Sequence, residues 1–138
     1  MKSASIVLTF ILILFAIHPA SAHHAFAAIY ASDRVATIQG TITEVQIRNP
    51  HSFISLNVTD PDGKAVSWGI EWGSVSLLGK SNIGRGTLKV GDKVTIIGAP
   101  TRNTGDRRLL MQKIRRPTDG WSWGYQPGEA VPNYQFPL

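Results

Sequence analysis

The chain has 138 residues, a formal net charge of +5 and no cysteine. The lack of cysteine excludes disulfide bonds, thiolate metal sites and a bacterial lipoprotein anchor, so the fold must depend on its hydrophobic core. The length allows one domain with a modest core. The small positive charge favours anionic partners or surfaces, but it does not by itself indicate nucleic-acid binding.

Residues 1–22 have the three parts of a secretory signal peptide. Lys2 supplies a positive charge, residues 6–17 form an apolar stretch, and Ala20-Ser21-Ala22 matches the small-x-small cleavage pattern. The stretch is shorter than the roughly 20 residues of a transmembrane helix, although an uncleaved anchor is the alternative. We expect cleavage between Ala22 and His23, followed by export to the periplasm or the medium. After cleavage we expect no transmembrane span, and the loss of Lys2 gives the mature chain a charge of +4.

Residues 23–34 form a short N-terminal arm in this interpretation, and residues 35–48 form a long first strand. The apolar residues of that strand change faces, because Ile38 and Ile42 share one parity while Val45 and Ile47 share the other. A strand of period two cannot do this without a bulge or a sharp bend. The pattern therefore predicts a mid-strand irregularity of the kind that lets a small barrel turn a corner.

Two further strands form a predicted hairpin over residues 53–58 and 65–72, joined by the turn sequence Asp60-Pro61-Asp62-Gly63. In the third strand the large apolar residues alternate with small or polar ones. This parity assigns Trp68 to the core.

A short helix is predicted next, with Ser74 as its cap and Gly79 as its stop. Strands follow at residues 93–98 and 109–116, which completes a β-β-β-helix-β-β order. From residue 117 onward the composition shifts to aromatic residues and proline. We interpret residues 117–138 as an irregular strap that packs on the barrel, with an exposed arm that binds a protein partner as the alternative.

The order of elements in residues 35–116 resembles the OB-fold, a small five-stranded Greek-key barrel. More narrowly, the chain is similar to a family of small secreted bacterial domains of unknown function. The similarity rests on His23-His24-Ala25-Phe26, Asn49-Pro50-His51 and Gly91-Asp92-Lys93-Val94. The resemblance implies a bacterial, exported, all-β OB-like domain with one short helix between strands three and four, and it brings no established activity.

Three histidines remain after cleavage, and they suggest a metal site. His23 would begin the mature chain and offer both its amine and its imidazole, while His51 lies on a turn at a barrel end. An amine with two imidazoles is a ligand set suited to copper. It resembles the histidine brace of copper-dependent polysaccharide monooxygenases and some periplasmic copper carriers, in the ligands and not in the fold. His24 is a further candidate ligand, and Tyr30 a candidate axial residue.

Two polar residues are candidates for hydrogen bonds that orient the metal-binding histidines. Asn49 either forms the turn with its side chain or orients His51. Glu71 lies on the polar parity of the third strand, where it can bind a histidine or, alternatively, pair with a surface arginine or lysine. The alternative to metal binding by His51 is a structural role, in which its ring forms a hydrogen bond with the backbone of the turn.

A second candidate site is basic. Arg102, Arg107 and Arg108 lie in or next to the predicted loop between strands four and five, where they can contact a small anionic ligand, an oligosaccharide or a protein. Export argues against nucleic acid as the partner. No G-x-S-x-G elbow or acid–base pair of carboxylates is present, so binding is favoured over catalysis. The sequence thus predicts a periplasmic binding module with copper as the most specific candidate ligand, and a non-metal OB module as the alternative.

Overall fold

The computed structural model describes residues 26–130. Residues 26–29 form a helical turn, and the elements that follow it are six strands and a short helix. In chain order these are β1 (Ala36–Gln46), β2 (Ser52–Thr59), β3 (Ala65–Trp72), α1 (Val75–Gly79), β4 (Lys93–Pro100), β5 (Arg108–Arg116) and β6 (Trp121–Trp123).

The first five strands close into a barrel. β1 pairs antiparallel with β2 on one side and with β4 on the other, β2 pairs with β3, and β4 pairs with β5. A parallel pairing of β3 with β5, from Gly69↔Arg108 to Glu71↔Leu110, completes the circle. With the helix between β3 and β4, this is the order of an OB-fold, so the predicted five-stranded OB-like barrel is confirmed. Between residues 26 and 130, no helix has the length and hydropathy needed to cross a membrane.

The predicted irregularity of the first strand is present in β1. The pairing with β2 shifts between Ile42 and Glu44, which leaves Thr43 outside the regular ladder. As a result Ile38 and Ile42 are buried before the shift, and Val45 packs against the same core after it. The change of parity in the sequence therefore results from a β-bulge in β1.

The core is formed by the inward-facing residues of all five barrel strands, capped by residues of the β3–β4 connection. Trp68 and Trp72 are 4% and 2% exposed, so both tryptophans belong to the core. The other large buried side chains are Ile38, Ile42, Ile54, Leu56, Val58, Ile70, Leu78, Ile83, Leu88, Val94, Ile96, Leu109, Met111 and Ile114. At the start of α1, Ser74 accepts a hydrogen bond from Leu77 N–H, as a capping residue should.

One strand was not predicted. Trp121–Trp123 forms β6, which extends the sheet beside the end of β5 through the pairs Ile114↔Trp123 and Arg116↔Trp121. Both tryptophans are partly buried against the core, and the Trp123 ring meets the Trp72 ring edge-on, with centroids 5.2 Å apart. A three-residue strand is too short to show a period, so only the i, i+2 spacing of the tryptophans signals it.

Arg116 joins β6 to the β4 side of the barrel. Its guanidinium contacts Asp92 Oδ2 at 2.7 Å and Asp119 Oδ2 at 2.8 Å, and it donates to the Thr87 carbonyl at 2.8 Å. Partial burial would raise the pKa of Asp92, but the bonds from Lys89 N–H and from Arg116 outweigh burial and lower that pKa below its ordinary value.

We expect the Asp92–Arg116 pair to make stability pH-dependent. Because the pKa of Asp92 is lower in the folded than in the unfolded chain, its contribution is present above about pH 4 and is lost as the pH falls further. Asp92→Asn should therefore cost about 1.5 kcal/mol at neutral pH, and the difference from the parent protein should shrink in acid. Urea unfolding at several pH values measures this, with the exposed Asp62→Asn as the control. A cost that does not change with pH would contradict the assignment.

Candidate functional site

A buried carboxylate marks one end of the barrel. Glu71 points outward from β3, yet the residue is only 7% exposed, because three side chains cover it. Tyr30 Oη donates to Glu71 Oε2 at 2.6 Å, His51 Nδ1 lies 2.7 Å from Oε1, and Arg108 Nη2 lies 3.6 Å from Oε2. The arm, the β1–β2 loop and the start of β5 therefore meet on one side chain. We call these four residues the Glu71 cluster.

The contact with Glu71 determines how His51 presents its ring. A carboxylate can only accept hydrogen bonds, so Nδ1 carries the proton in the neutral ring and Nε2 keeps its lone pair. The His51 side chain is 35% exposed, which leaves the ring accessible from outside the barrel. A carboxylate that binds one nitrogen of a histidine is the usual support of a metal-ligating imidazole, since it fixes the ring and its tautomer.

The arm lies across the end of β4 and the start of the loop that follows it, and backbone hydrogen bonds hold it there. Ala31 N–H donates to the Pro100 carbonyl at 2.8 Å, and Arg102 N–H donates to the Ile29 carbonyl at 2.9 Å. These bonds place Tyr30, which is 1% exposed, over Glu71. Burial and the hydrogen bond to Glu71 raise the pKa of the Tyr30 phenol well above its ordinary range, so Tyr30 remains a donor at physiological pH.

The helical turn at the start of the arm places Phe26 beside His51. Tyr30 N–H donates to the Phe26 carbonyl at 2.7 Å, which closes the turn. The Phe26 and His51 ring centroids are 4.7 Å apart. The described part of the chain thus begins next to the partly exposed His51.

The basic residues predicted to bind an anion have separate environments. Arg102 Nε donates to the Ala27 carbonyl at 2.8 Å and so fastens the arm, while Arg108 faces Glu71. Arg107 is exposed, and its carbonyl accepts from Gly69 N–H at 2.9 Å. Two of the three guanidinium groups thus contact protein oxygens.

Asn49 is also engaged in the fold. Its Oδ1 accepts from Val75 N–H at 3.1 Å, so its side chain ties the β1–β2 loop to the first turn of α1. This bond joins two distant segments, so it is neither the local turn bond nor the contact with His51 that the sequence suggested for Asn49.

A pocket of about 340 Å³ opens next to His51 at the same end of the barrel. Its walls are mostly apolar and come from the arm, β3, α1, β5 and β6. They include Phe26, Trp72, Leu77, Leu110, Met111 and Trp123.

His23 and His24, the other predicted metal ligands, lie outside the described residues. Within residues 26–130, no group of three or more histidine, cysteine, aspartate or glutamate side chains could hold a metal ion.

The sequence matches the model of a family of unknown function, DUF6152, over residues 12–110. The chain belongs to this family. The match includes all four residues of the Glu71 cluster as well as His23 and His24, and it ends before β6. No curated protein matches this sequence.

Among solved structures, the fold is similar to that of the mitochondrial single-stranded DNA-binding protein Rim1 of S. cerevisiae. The two chains are 16% identical with a TM-score of 0.45, over 60% of this chain and 92% of that one.

The contact between Tyr30 and Glu71 was not predicted. Strand parity placed Glu71 on the outer, polar face, and the structure agrees with that face. Its burial comes from the arm, which is 41 residues away in sequence at Tyr30. The signals in the sequence were an acidic residue between the apolar Ile70 and Trp72 and a tyrosine in an apolar arm, and neither specifies the other as its partner.

Proposed function

We propose that this OB-fold domain is an exported metal-binding module whose ligand is copper. The amine and imidazole of His23 and Nε2 of His51 would hold the ion, with His24 as a further ligand. The observation that carries the proposal is the 2.7 Å contact between His51 Nδ1 and Glu71 Oε1, which leaves Nε2 as the free nitrogen of an accessible ring.

The position of the arm supports the participation of His23. Phe26 contacts the His51 ring, and His23 precedes Phe26 by three residues. Three extended residues span about 10 Å, so the amine and imidazole of His23 are within reach of a metal bound to His51. The backbone bonds that hold the arm reduce the conformational entropy lost on assembling the site.

The chemistry of the donors favours copper over other divalent metals. Nitrogen donors bind divalent first-row metals most tightly at copper, and Cu(II) prefers a tetragonal arrangement that an amine and two imidazoles fill in part. A free α-amine has a pKa near 8, so a metal displaces its proton readily at neutral pH. The amine exists only after cleavage at Ala22, which links the proposed binding to export.

We expect protein that begins at His23 to bind Cu(II) with submicromolar affinity. His23→Ala and His51→Ala should each abolish tight binding, because each removes a ligand. Isothermal titration and the Cu(II) electron paramagnetic resonance spectrum measure affinity and nitrogen coordination together. The same protein with its N-terminal amine acetylated should bind weakly, and unchanged binding by the acetylated protein would eliminate the amine as a ligand.

Glu71→Gln provides a test of the supporting contact. Glutamine keeps the shape of the side chain, but its amide can donate to Nδ1 and move the ring proton to Nε2. The expected loss of Cu(II) affinity is about 10- to 100-fold. Arg107→Gln changes an exposed charge that does not touch the cluster, so its affinity should equal that of the parent protein.

A further inference from the structure

The second half of β1 has an unpaired edge. Thr41 is the last residue of β1 that pairs with β4. At Ile42 the backbone N–H donates to the Asp92 carbonyl at 2.9 Å, and the carbonyl accepts from Gly91 N–H at 2.8 Å. Residues 44–46 pair with β2 on one side, and on the other side they have no backbone partner in the described part of the chain. Such an edge presents N–H and C=O groups that can pair with one more strand.

A groove of about 530 Å³ lies beside this edge and is larger than the pocket next to His51. Its described walls come from the end of β1 and the residue after it, and from the connection that leads to β4. The apolar walls are Val45, Ile47, Leu88 and Val90. Val45 and Ile47 also pack on the core, whereas Val90 is 68% exposed. This feature, which we call the β1-edge groove, therefore offers apolar surface directly beside unpaired backbone groups.

The wall opposite β1 is held in place by the rest of the fold. Gly84 N–H donates to the Thr87 hydroxyl at 3.0 Å, and the Thr87 carbonyl accepts from Arg116 Nη1 at 2.8 Å. Lys89 N–H donates to Asp92 Oδ2 at 3.0 Å, and Arg116 contacts the same oxygen at 2.7 Å. A wall that is already ordered lowers the entropy cost of binding a ligand.

Two unpaired cations give the groove a positive charge. Arg85 and Lys89 are exposed and belong to its walls. Within the part of the chain that the structure describes, neither side chain forms a hydrogen bond or an ion pair, and no acidic side chain is among the walls. The one acid of β1, Glu44, contacts Gln46 and Ser55 instead. The groove therefore suits a ligand that carries both carboxylates and apolar groups.

We propose that the β1-edge groove binds an extended segment of a partner protein that carries acidic and apolar side chains. The backbone of the segment pairs with residues 44–46, which span about 10 Å of strand. Its apolar side chains cover the apolar walls, and its carboxylates face Arg85 and Lys89. An anionic lipid surface would meet the same charges but would leave the edge of β1 without backbone partners, so the groove favours a peptide. No residue of the Glu71 cluster lines the groove, so this proposal is independent of the one for copper.

Panning a phage-displayed library of random peptides on the full chain tests the groove, because it assumes no partner sequence. The selected peptides should be rich in aspartate, glutamate and aliphatic residues. Their affinity, measured by fluorescence anisotropy with synthetic peptide, should fall about 10-fold or more when Arg85→Glu and Lys89→Glu are combined. Lys64→Glu with Lys80→Glu is the matched control, since it changes the net charge equally at exposed residues outside the groove. Selection of peptides without acidic residues, or equal binding by the two double variants, would overturn the proposal.

Methylation of the peptide backbone tests the strand pairing. A selected peptide is made in two forms, each methylated at alternate backbone nitrogens, which removes hydrogen-bond donors and keeps every side chain. One form should bind about 10-fold more weakly than the other, because a strand turns alternate N–H groups toward its neighbour. Equal binding by the two forms would contradict the pairing with β1.

Amide hydrogen exchange of the free protein tests whether the edge is open. At least one amide among Glu44, Val45 and Gln46 should exchange rapidly in the free protein and slowly in the peptide complex. Slow exchange at all three in the free protein would overturn the proposal, because the edge would then already be covered. Failure to select any peptide would also overturn it. If phosphatidylglycerol vesicles then bind the parent protein and not the Arg85→Glu, Lys89→Glu variant, the groove contacts a membrane surface instead.

Discussion

Replacing Glu71 with alanine is expected to lower the free energy of unfolding by about 3 kcal/mol. The substitution leaves the buried Tyr30 hydroxyl without its acceptor and removes the counter-charge of Arg108. The side chain of Glu71 is only 8% exposed, so water cannot readily take its place. Urea unfolding followed by the fluorescence of the buried tryptophans measures the loss.

Two comparisons show whether the loss comes from this cluster. Glu44→Ala removes an exposed carboxylate that contacts Gln46 and Ser55, and it should change stability by less than about 0.5 kcal/mol. In a double-mutant cycle, Tyr30→Phe should cost much less in the Glu71→Ala background than alone, with a coupling energy of about 1–2 kcal/mol. Additive effects would show that the Tyr30–Glu71 bond contributes nothing to stability.

The same substitution should loosen the arm before it unfolds the barrel. The Tyr30 side chain is a buried anchor of the arm, whereas the backbone bonds of Ala31 and Ile29 join the arm to Pro100, the last residue of β4, and to the exposed Arg102. Amide exchange at Ala31 and Arg102 should therefore accelerate in Glu71→Ala more than exchange at Ile54 or Leu56. This result would assign the arm to the least stable cooperative unit of the domain.

The barrel could be predicted because its determinants are local. The alternation in β2 and β3, the turn between them and the capping serine of α1 each act within a few residues. Even the bulge of β1 is visible locally, since Ile42 and Val45 must both reach the core. These features agree with one another, which is why the elements and their order along the chain could be predicted from one sequence. The closure of the strands into a barrel was expected from the resemblance to the OB-fold.

The Glu71 cluster could be predicted only in part, because its contacts join distant segments. The sequence suggested a histidine or a surface arginine as the partner of Glu71, and the structure brings both to it, as His51 and Arg108. It could not show that the arm folds over Glu71, because strand parity describes a face and not what covers it. Arg102 illustrates the same limit, since an arginine in a loop gives no sign that it donates to the Ala27 carbonyl.

Replacing Gly98 with alanine is expected to cost about 3 kcal/mol, although it adds only one methyl group. The added Cβ would lie 2.3 Å from the Leu110 carbonyl oxygen and 3.0 Å from the Leu110 carbonyl carbon. Both atoms are backbone, so no rotamer change relieves the clash and β4 and β5 must move apart. The pairing of the two strands is already irregular here, with a register shift between Ile97 and Gly98.

Gly84→Ala is the matched control, because an added Cβ there would meet nothing within 4 Å. The distortion caused by Gly98→Ala should also reach the Glu71 cluster, since Leu110 pairs with Glu71 across the parallel contact that closes the barrel. We therefore expect chemical-shift changes at Glu71 and His51 in Gly98→Ala and none in Gly84→Ala. If Gly98→Ala were as stable as the parent protein, the approach of β4 to β5 would not be a constraint on the barrel, and the link from this pairing to the site would fail with it.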